Sequence, residues 1–392
     1  MDALMLPLNW QRVRLGDIGK PCMCKRVMKH QTTRYGEIPF YKIGTFGNTA
    51  DTFISKKLFL EYKTKYSFPK KGDILISASG TIGRAVIYDG KPAYFQDSNI
   101  VWIDNDETLV KNDFLFYAYS NVKWNTEHTT ILRLYNDNFR NTLIPLPPLN
   151  EQIAIANILS GLDRYLYALD ALILKKECVK KALSFELLSQ RKRLKGFNQA
   201  WQRVRLGDIC EFGNGGAYET LIVENGDFKL ISLNSIDIDG NLKNTMKRVS
   251  FYDNSLKQDD IVMVLSDVAH GDFLGLCAVI PSNDYVLNQR MGRLKIRNGC
   301  INILFLRLYI NANQKYFKMQ GQGSSQLNLS KKAIEDFEIL LPPLNEQSAI
   351  ANILSDLDNE ITSLKNKKRQ FENIKKALNH DLMSAKIRVL EK

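Results

Sequence analysis

The chain has 392 residues, 44% of them hydrophobic, so it can hold two ordinary domains with cores of their own, and a disordered chain is excluded. It carries 54 lysines and arginines against 42 acidic residues, which gives a net charge of +12 and a pI near 9.2. This charge favours a polyanionic partner, but a solvated basic surface explains it equally well.

Targeting, membrane and metal signals are missing. The first residues lack a basic stretch followed by an apolar one, and no run reaches the roughly 18 apolar residues of a membrane helix. We therefore expect a cytoplasmic protein with no membrane partner. The six cysteines are scattered, and Cys22 and Cys24 lack the C-x-x-C spacing of a zinc site. We expect six reduced thiols and no metal site.

An internal repeat begins near the start of the chain. The segment Trp10–Ile18 recurs unchanged as Trp201–Ile209. The ends of the repeated unit are nearly identical, whereas its middles, roughly residues 20–140 and 211–335, differ. This contrast predicts two halves that meet the same partner but read different ligands. Two further segments recur in the same order: Leu146–Gln152 as Leu341–Gln347, and Ala154–Ser160 as Ala349–Ser355.

Each middle region is predicted to mix strands and helices, with more strand than helix. Lys71–Ser77 and Asp260–Ser266 are short apolar runs bounded by turn residues, as in buried strands. Each run leads into a polar loop whose glycines let a backbone approach a ligand closely. A further strand is expected after each loop, over Tyr94–Ile103 and Tyr285–Ile296.

The segments after the two proline pairs are predicted to be long helices. Apolar residues recur at alternating steps of four and three, from Ile155 to Leu187 and from Ile350 to Leu382, with lysines in some positions. This is the heptad pattern of a helix that pairs with another helix. Each helix should run about 45 residues, or roughly 65 Å. The first should be capped by Asn150 and end at Gly196.

The predicted fold class is α+β, with two globular mixed α/β domains in tandem repeat. Each domain is followed by a long helix, and the two helices pair as an antiparallel coiled coil. The predicted boundaries are 1–149 for the first domain, 150–196 for the first spacer helix, 197–344 for the second domain and 345–392 for the second spacer helix.

The two-copy layout resembles the specificity subunit of type I restriction-modification enzymes over essentially the whole chain. The resemblance lies in the Trp-x-x-x-x-Leu-Gly-Asp openings and the Leu-Pro-Pro-Leu-x-Glu-Gln helix starts. It implies that each middle region reads one half of a bipartite, asymmetric sequence in double-stranded DNA. The helices would set the spacing and bind two copies of an adenine methyltransferase subunit. A restriction and translocase subunit would complete the assembly.

The resemblance also implies that this chain is not an enzyme and binds no cofactor. S-adenosylmethionine, ATP and Mg²⁺ would be used by the partner subunits. The residues agree, because the sequence lacks a G-x-x-x-x-G-K-[ST] nucleotide loop and its only Pro-Pro pairs are flanked by leucines. No Ser-His-Asp or Cys-His arrangement repeats between the halves.

The two copies depart from the family pattern at different loops. Ser79–Gly83 resembles the family's Gly-Thr-x-Gly loop, whereas the second copy has a longer loop around His270. Conversely, Gln320–Ser325 resembles a usual loop before the helix, where the first copy has Glu127–Thr130. Which loop contacts bases in which copy stays open at this point.

Candidate DNA contacts are basic residues for phosphates and polar residues on loops and strand ends for bases. Any one of them is equally explained as an ordinary solvated side chain. In the first copy the candidates are Lys25, Arg26, Lys29, Arg34, Tyr41, Lys42, Ser79, Thr81, Arg84, Gln96 and Asn99. In the second copy they are Lys229, Ser232, Asn234, His270, Gln289, Arg290, Arg293, Gln322 and Ser324.

Two other function classes remain open. The chain would be a coiled-coil scaffold joining two protein-binding domains if its DNA binding were weak and independent of sequence. A self-contained restriction enzyme is the third class, and the missing motifs argue against it. Trp10 and Trp201 are interpreted as packing anchors rather than as base-stacking platforms.

Overall fold

The structure is a computed structural model that describes residues 7–128, 132–268, 271–297 and 299–389. The chain divides into two compact units, Met1–Ala171 with Asn366–Lys392, and Leu172–Lys365. Each unit contains one globular domain and part of each long helix. Among the described residues, no helix combines the length and the apolarity needed to cross a membrane.

The first domain alternates short strands with short helices before the first long helix. A 3₁₀ helix spans Lys29–Gln31. The strands are β1 Gln11–Arg14, β2 Gly19–Met23, β3 Ile38–Tyr41, β4 Phe53–Ile54, β5 Ile74–Ser77, β6 Ala85–Ile87, β7 Tyr94–Phe95, β8 Ile100–Asn105, β9 Glu127–His128, β10 Leu132–Arg133 and β11 Leu143–Leu146. The helices are α1 Leu15–Ile18, α2 Lys56–Lys65, α3 Asn112–Tyr119, α4 Asn136–Asn141 and α5 Leu149–Leu188.

The second domain follows the same order with different short elements. Its 3₁₀ helices span Glu219–Leu221 and Leu233–Ser235. The strands are β12 Gln202–Arg205, β13 Cys210–Asn214, β14 Phe228–Ile231, β15 Arg248–Val249, β16 Ile261–Val264, β17 Ser266–Val268, β18 Cys277–Val279, β19 Tyr285–Leu287, β20 Met291–Ile296, β21 Gln326–Asn328 and β22 Glu338–Leu341. The helices are α6 Leu206–Ile209, α7 Ile303–Ala312, α8 Gln314–Gln320, α9 Lys331–Glu335 and α10 Leu344–Met383.

Both domains have the same sheet plan. A four-stranded antiparallel sheet has the order β2-β8-β5-β6 in the first domain and β13-β20-β16-β18 in the second. A three-stranded mixed sheet has the order β4-β3-β7 and β15-β14-β19, in which β3 is parallel to β7 and β14 to β19. The opening strand pairs with the last strand before the long helix, β1 with β11 and β12 with β22. The diverged middle sequences therefore keep one framework.

The central strands confirm the predicted apolar runs, because every residue of β5 and β16 is buried. The prediction of one strand over Tyr94–Ile103 and one over Tyr285–Ile296 is wrong. Each region breaks into two strands that belong to different sheets. The break contains a residue with positive φ, Ser98 at 56° and Arg290 at 69°, which turns the chain out of the extended conformation.

The predicted antiparallel pairing of the long helices is observed within each unit. In the second unit, Lys176 of α5 pairs with Glu360 of α10 at 2.8 Å, and Lys180 pairs with Asp358. The residue numbers of the paired side chains rise along α5 while they fall along α10, so the two helices run antiparallel. The first unit repeats it with α5 aspartates and α10 lysines: Asp170 with Lys368 at 2.6 Å, and Asp163 with Lys375.

The lysines that interrupt the heptad pattern are thus the cations of these cross-helix pairs. Each helix has carboxylates opposite its partner's lysines, so the observed antiparallel register matches opposite charges. The apolar positions nearest the helix ends are used differently. Ile155 and Leu159 pack into the core of the first domain, and Ile350 and Leu354 into that of the second.

The predicted helix bounds need correction at both ends. Each long helix has 40 residues, about 60 Å at 1.5 Å per residue, rather than about 45 residues. Asn150 lies inside the first turn rather than before it, but its side-chain oxygen accepts from the Glu151 amide at 3.0 Å, as predicted for a residue that caps this turn. The amides of Glu151 and Gln152 also both donate to the Pro148 carbonyl. The first helix ends at Leu188 and is followed by left-handed Gln190 (φ 64°), whereas Gly196, whose φ of 95° is also positive, lies too far along the chain to end it.

A buried glutamate at the start of each long helix ties the unit together. Glu346 is fully buried and accepts hydrogen bonds from the Trp201 indole at 3.0 Å and from Nε and Nη2 of Arg193 at 3.1 and 2.6 Å. Glu151, which is 2% exposed, accepts from the Trp10 indole at 3.0 Å and from two nitrogens of Arg388. Each arginine follows the end of one long helix and bonds to the glutamate that begins the other.

The next residue, a glutamine, is buried in both copies with its amide fully used. The Gln152 side chain donates to the Pro147 and Leu109 carbonyls and accepts from the Lys111 amide. Gln347 makes the same three bonds, to Pro342, Cys300 and Asn302. The repeated Glu-Gln pair therefore fastens the helix start to the domain, which explains why this segment is identical in both copies. Trp10 and Trp201 pack into the domain cores as predicted.

Replacing the buried carboxylate should destabilise the second unit strongly. We expect Glu346→Gln to lower the free energy of unfolding by about 2–4 kcal/mol, because it leaves the Arg193 guanidinium without its anion. Urea denaturation followed by tryptophan fluorescence measures the change. The control is Glu338→Gln, which removes the exposed ion pair with Arg203 and should cost about 1 kcal/mol or less. Equal losses in the two variants would contradict the assignment.

The charge pairs between the long helices can be tested by a double-mutant cycle. Lys176→Glu and Glu360→Lys should each destabilise the protein, since each places like charges opposite one another. The double variant restores the opposite charges and should recover about 0.5–1 kcal/mol relative to the sum of the single changes. Thermal unfolding measures all four proteins. Simple additivity would show that the pair contributes nothing to helix register.

Candidate nucleic-acid interface

Polar loops follow two parallel strands in each domain and meet at one edge. The carboxyl ends of β3 and β7 form this edge in the first domain, and those of β14 and β19 form it in the second. We call each the parallel-strand edge. The loops begin at Lys42 and Gln96 in the first domain and at Ser232 and Asn288 in the second. The edge therefore collects several of the predicted contact residues.

The first-domain edge carries exposed cations held by neighbouring carboxylates. Nε of Arg26 donates to Asp97 at 2.8 Å, and the Arg26 side chain is 67% exposed. Lys42 pairs with Asp51 at 2.9 Å, and this contact lowers the pKa of the Asp51 carboxyl. The Lys25 ammonium lies 5.0 Å from the centre of the Tyr66 ring. Lys29 and Arg34 are exposed.

Other predicted residues of this domain make contacts that hold the loops, although Arg84 is also exposed. The side-chain oxygen of Gln96 accepts from the Ile43 amide at 2.9 Å, and the Tyr41 ring stacks on Phe95 with centroids 5.8 Å apart. Arg84 donates to the Phe46 carbonyl at 2.9 Å.

Ser79 and Asn99 lie together beneath the loops of the first domain. The Ser79 hydroxyl, 8% exposed, donates to Asn99 at 2.8 Å. Arg133, which the sequence analysis did not single out, donates to the Ser98 carbonyl at 2.8 Å and to Asn99 at 3.4 Å. In contrast to Ser79 and Asn99, Thr81 lies at the turn of the loop and is exposed to solvent.

The second-domain edge is centred on a carboxylate. Glu219 accepts from the Asn288 side chain at 3.0 Å and from the Gln289 side chain at 2.9 Å. The Gln289 bond is the main cause that lowers the pKa of Glu219. Exposed Asn234 and Arg290 line the same surface cavity of about 240 Å³.

Lys229 and Arg293 have structural partners, which the sequence could not reveal. Lys229 pairs with Asp284 at 2.9 Å, a bond that raises the pKa of Lys229, and it lies 4.7 Å from the Tyr285 ring centre. Arg293 lies within β20 and donates to the Ser255 carbonyl at 2.9 Å and to Glu211 at 3.3 Å. The amide of Ser232 is held by the Ser235 hydroxyl at 2.9 Å.

The remaining predicted residues lie away from the parallel-strand edge or outside the described part. Gln322 and Ser324 are exposed in the turn before β21, where Gly323 has a φ of 124°. His270, together with Thr129 and Thr130, lies outside the described residues. Glu219 and Asn288 were missed, because acidic residues were not considered and Asn288 sits inside a region predicted as continuous strand.

No metal centre emerges from the described residues, which contain no group of three His, Cys, Asp or Glu side chains arranged to hold an ion. All six cysteines are free thiols. The site is therefore a pair of polar edges built on one repeated framework. This combination defines a tandem-repeat protein with one polar edge in each unit.

The chain belongs to the family of type I restriction modification DNA specificity domains. The family model matches twice, at residues 7–176 and 198–373, once for each repeat. The protein is thus a specificity subunit of a type I restriction-modification system, and its role is recognition of DNA sequence.

Individual relatives agree with this family. This chain is 29% identical to the type I restriction enzyme MjaVIII specificity subunit of Methanocaldococcus jannaschii. The match covers 99% of this chain and 95% of that protein. It is 63% identical to a Haemophilus influenzae protein provisionally named as a type I restriction enzyme specificity subunit, over only 38% of this chain and 40% of that protein.

Solved structures share the fold. The specificity subunit of a type I restriction-modification system from M. genitalium superposes with a TM-score of 0.64 at 19% identity, covering 97% of this chain and 98% of that one. A chain from a study of complex assembly and conformational transition in a type I system gives a TM-score of 0.56 at 16% identity, over 97% and 98% of the two chains. The two-repeat fold prediction is therefore confirmed.

Arg293 should contribute to stability rather than to sequence choice. Arg293→Ala removes two hydrogen bonds and leaves the Ser255 carbonyl without this donor, so we expect a loss of about 1–3 kcal/mol. The recognised DNA sequence should stay the same. Urea denaturation and sequencing of methylated sites measure the two quantities, with Lys295→Ala on the exposed side of β20 as the control. A changed target sequence would show that Arg293 reads bases.

Proposed function

We propose that each domain reads one half of a bipartite, asymmetric DNA site, and that the long helices set the distance between the halves. The observation that carries this proposal is one framework with two different polar edges. The main sheets, the buried glutamates and the helix starts are the same in both copies, whereas the edge carries Arg26 and Lys42 in the first domain and the Glu219 carboxylate beside Arg290 in the second. A duplicated framework with different edges suits two different half-sites.

The exposed members of the predicted set are our proposed DNA contacts. Basic side chains would bind phosphates, and polar side chains at the parallel-strand edges and on the other exposed loops would meet base edges. In the first domain these are Lys25, Arg26, Lys29, Arg34, the partly exposed Lys42, Thr81 and Arg84, and in the second they are Asn234, Gln289, Arg290, Gln322 and Ser324. The net charge of +12 supports this assignment, because counterion release by phosphate contacts drives binding.

The long helices are the proposed docking surface for two methyltransferase subunits. Beyond the face that meets the partner helix, α5 exposes large apolar side chains, including Tyr167 at 78% and Leu174 at 62%. Such groups are costly to leave in water and are typical of surfaces that bind another protein. Repetition of the helix starts supports two copies of one partner.

In this proposal the chain performs no chemistry and binds no cofactor. Methyl transfer from S-adenosylmethionine would belong to the methyltransferase subunits, and ATP- and Mg²⁺-dependent translocation and cleavage to a restriction subunit. Such a complex acts on cellular DNA, so its proposed location is the cytoplasm.

Methylation mapping tests the proposal directly. Cells that carry this gene with its partner methyltransferase should show methyladenine confined to one split motif, absent without the gene. Replacing residues 20–140 by the same region of another family member should change one half of the motif and leave the other half and the spacing intact. The matched exchange of residues 211–335 should change the opposite half.

An active methyltransferase whose methylation does not depend on this gene would overturn the proposal. A motif that changes in both halves after a single exchange would contradict the assignment of one domain to each half-site. Weak DNA binding that is independent of sequence would instead favour a scaffold that joins two protein-binding domains.

A further inference from the structure

The two parallel-strand edges can be compared position by position, because equivalent backbone bridges fix the correspondence. Thr33 bridges to Phe53 in the first domain, and Val223 bridges to Arg248 in the second. Phe53 and Arg248 occupy the same position in their sheets, each paired with the second residue of the neighbouring strand. Lys29 and Glu219 each begin the 3₁₀ helix that precedes the bridge. The same position therefore carries opposite charges in the two domains.

A buried amide supports this position in the second domain. Asn288 is 3% exposed, and its oxygen accepts from the Tyr218 amide at 3.1 Å while its nitrogen donates to Glu219. Its backbone amide donates to Ile231 at 3.0 Å, just as that of Gln96 donates to Tyr41 at 2.9 Å in the first domain. Asn288 and Gln96 are therefore equivalent parts of the framework.

The residue after each amide holds a different charged group. Asp97 follows Gln96 and accepts from the Arg26 guanidinium, whereas Gln289 follows Asn288 and donates to the Glu219 carboxylate. Beside these framework amides, the first edge thus presents the Arg26 guanidinium, a hydrogen-bond donor, and the second presents the Glu219 carboxylate, an acceptor. The framework is the same, but the charged group at the edge donates hydrogen bonds in the first domain and accepts them in the second.

The Glu219 carboxylate is held firmly and retains accepting capacity. A carboxylate has about four acceptor positions, and the two amide donors occupy one on each oxygen. Support from a buried amide fixes its direction before any ligand binds. An exposed carboxylate repels phosphates, so at a DNA interface it is useful only opposite a hydrogen-bond donor. In the major groove those donors are the exocyclic amino groups of cytosine and adenine.

Building on the proposed function, we propose that Glu219 is a base-reading residue of the second domain. Its carboxylate accepts a hydrogen bond from the N4 amino group of a cytosine or the N6 amino group of an adenine in the major groove. Asn288 and Gln289 position the carboxylate, and Arg290 and Lys247, which line the same cavity, offset its charge beside the DNA.

The test combines a protein variant with base analogues in the complex with its methyltransferase. The probes are duplexes carrying the recognised site, in which one adenine at a time is replaced by purine or one cytosine by 2-pyrimidinone. Each analogue lacks only the exocyclic amino group. Wild type should lose about 5- to 100-fold in affinity at one position of the second half-site, and that analogue identifies the base. Glu219→Gln should show a several-fold smaller loss at that position.

The matched control is Glu224→Gln, an exposed glutamate close in sequence that does not line the cavity. It should leave the wild-type profile unchanged. Sequencing of methylated sites is the second readout. Glu219→Gln should allow more than one base at one position in the second half of the motif. Glu219→Lys, which introduces the charge of the equivalent Lys29, should disfavour the original base at that position. The first half-site and the spacing should not change.

Two results would overturn the inference. If Glu219→Gln keeps the wild-type profile on every analogue, the carboxylate only supports Asn288 and Gln289. If it alters the first half-site instead, the second domain has been assigned to the wrong half. If the wild-type protein recognises no split site, the proposed function is wrong, and this inference is then wrong as well.

Discussion

The buried carboxylate at the start of each long helix is the contact on which the rest of the structure depends. Glu151 and Glu346 each receive a tryptophan indole from the domain's first strand region and an arginine that follows the other long helix. One side chain therefore joins the start of the domain, the start of a helix and the end of the other helix. A buried charge is tolerated only when its partners are all present, so these three parts must be placed together. This requirement explains why the segments that carry the tryptophan and the glutamate have the same sequence in both copies.

This arrangement separates what must be kept from what can vary. The glutamate, the glutamine beside it and the paired outer strands are the same in both copies, and no described residue at the parallel-strand edge contributes to the buried carboxylate's contacts. Side chains at the edge can then change in charge and hydrogen-bonding sense without moving the framework. Arg26 with Asp97 in one domain and Gln289 with Glu219 in the other illustrate such a change. The framework amides Gln96 and Asn288 hold their loops in both.

Much of the fold could be predicted from the sequence, because the repeat and the heptad pattern depend on local residue spacing. The pairing of the long helices and the buried runs of β5 and β16 followed from that spacing, and the antiparallel direction came from the helix lengths and the two-copy layout. The helix ends and the break between β7 and β8 did not, because left-handed conformations at Gln190 and Ser98 occur in residues with no strong preference for them. The edge was harder still. Lys229 and Arg293 are basic residues of the kind that bind DNA. Only the structure shows that Lys229 pairs with Asp284 and that Arg293 bonds to the Ser255 carbonyl within the domain.

The arginine that follows the second helix also reaches the beginning of the first domain, since Arg388 donates to Asn9 at 3.2 Å as well as to Glu151. In the other unit the stretch after the first helix makes the equivalent contact through Arg193 before the second domain begins. The two junctions therefore use the same contact, an arginine beyond the end of one long helix that bonds to the buried glutamate at the start of the other. Because each contact lies within one unit, a change of either arginine would disturb one junction and leave the contacts of the other unit in place.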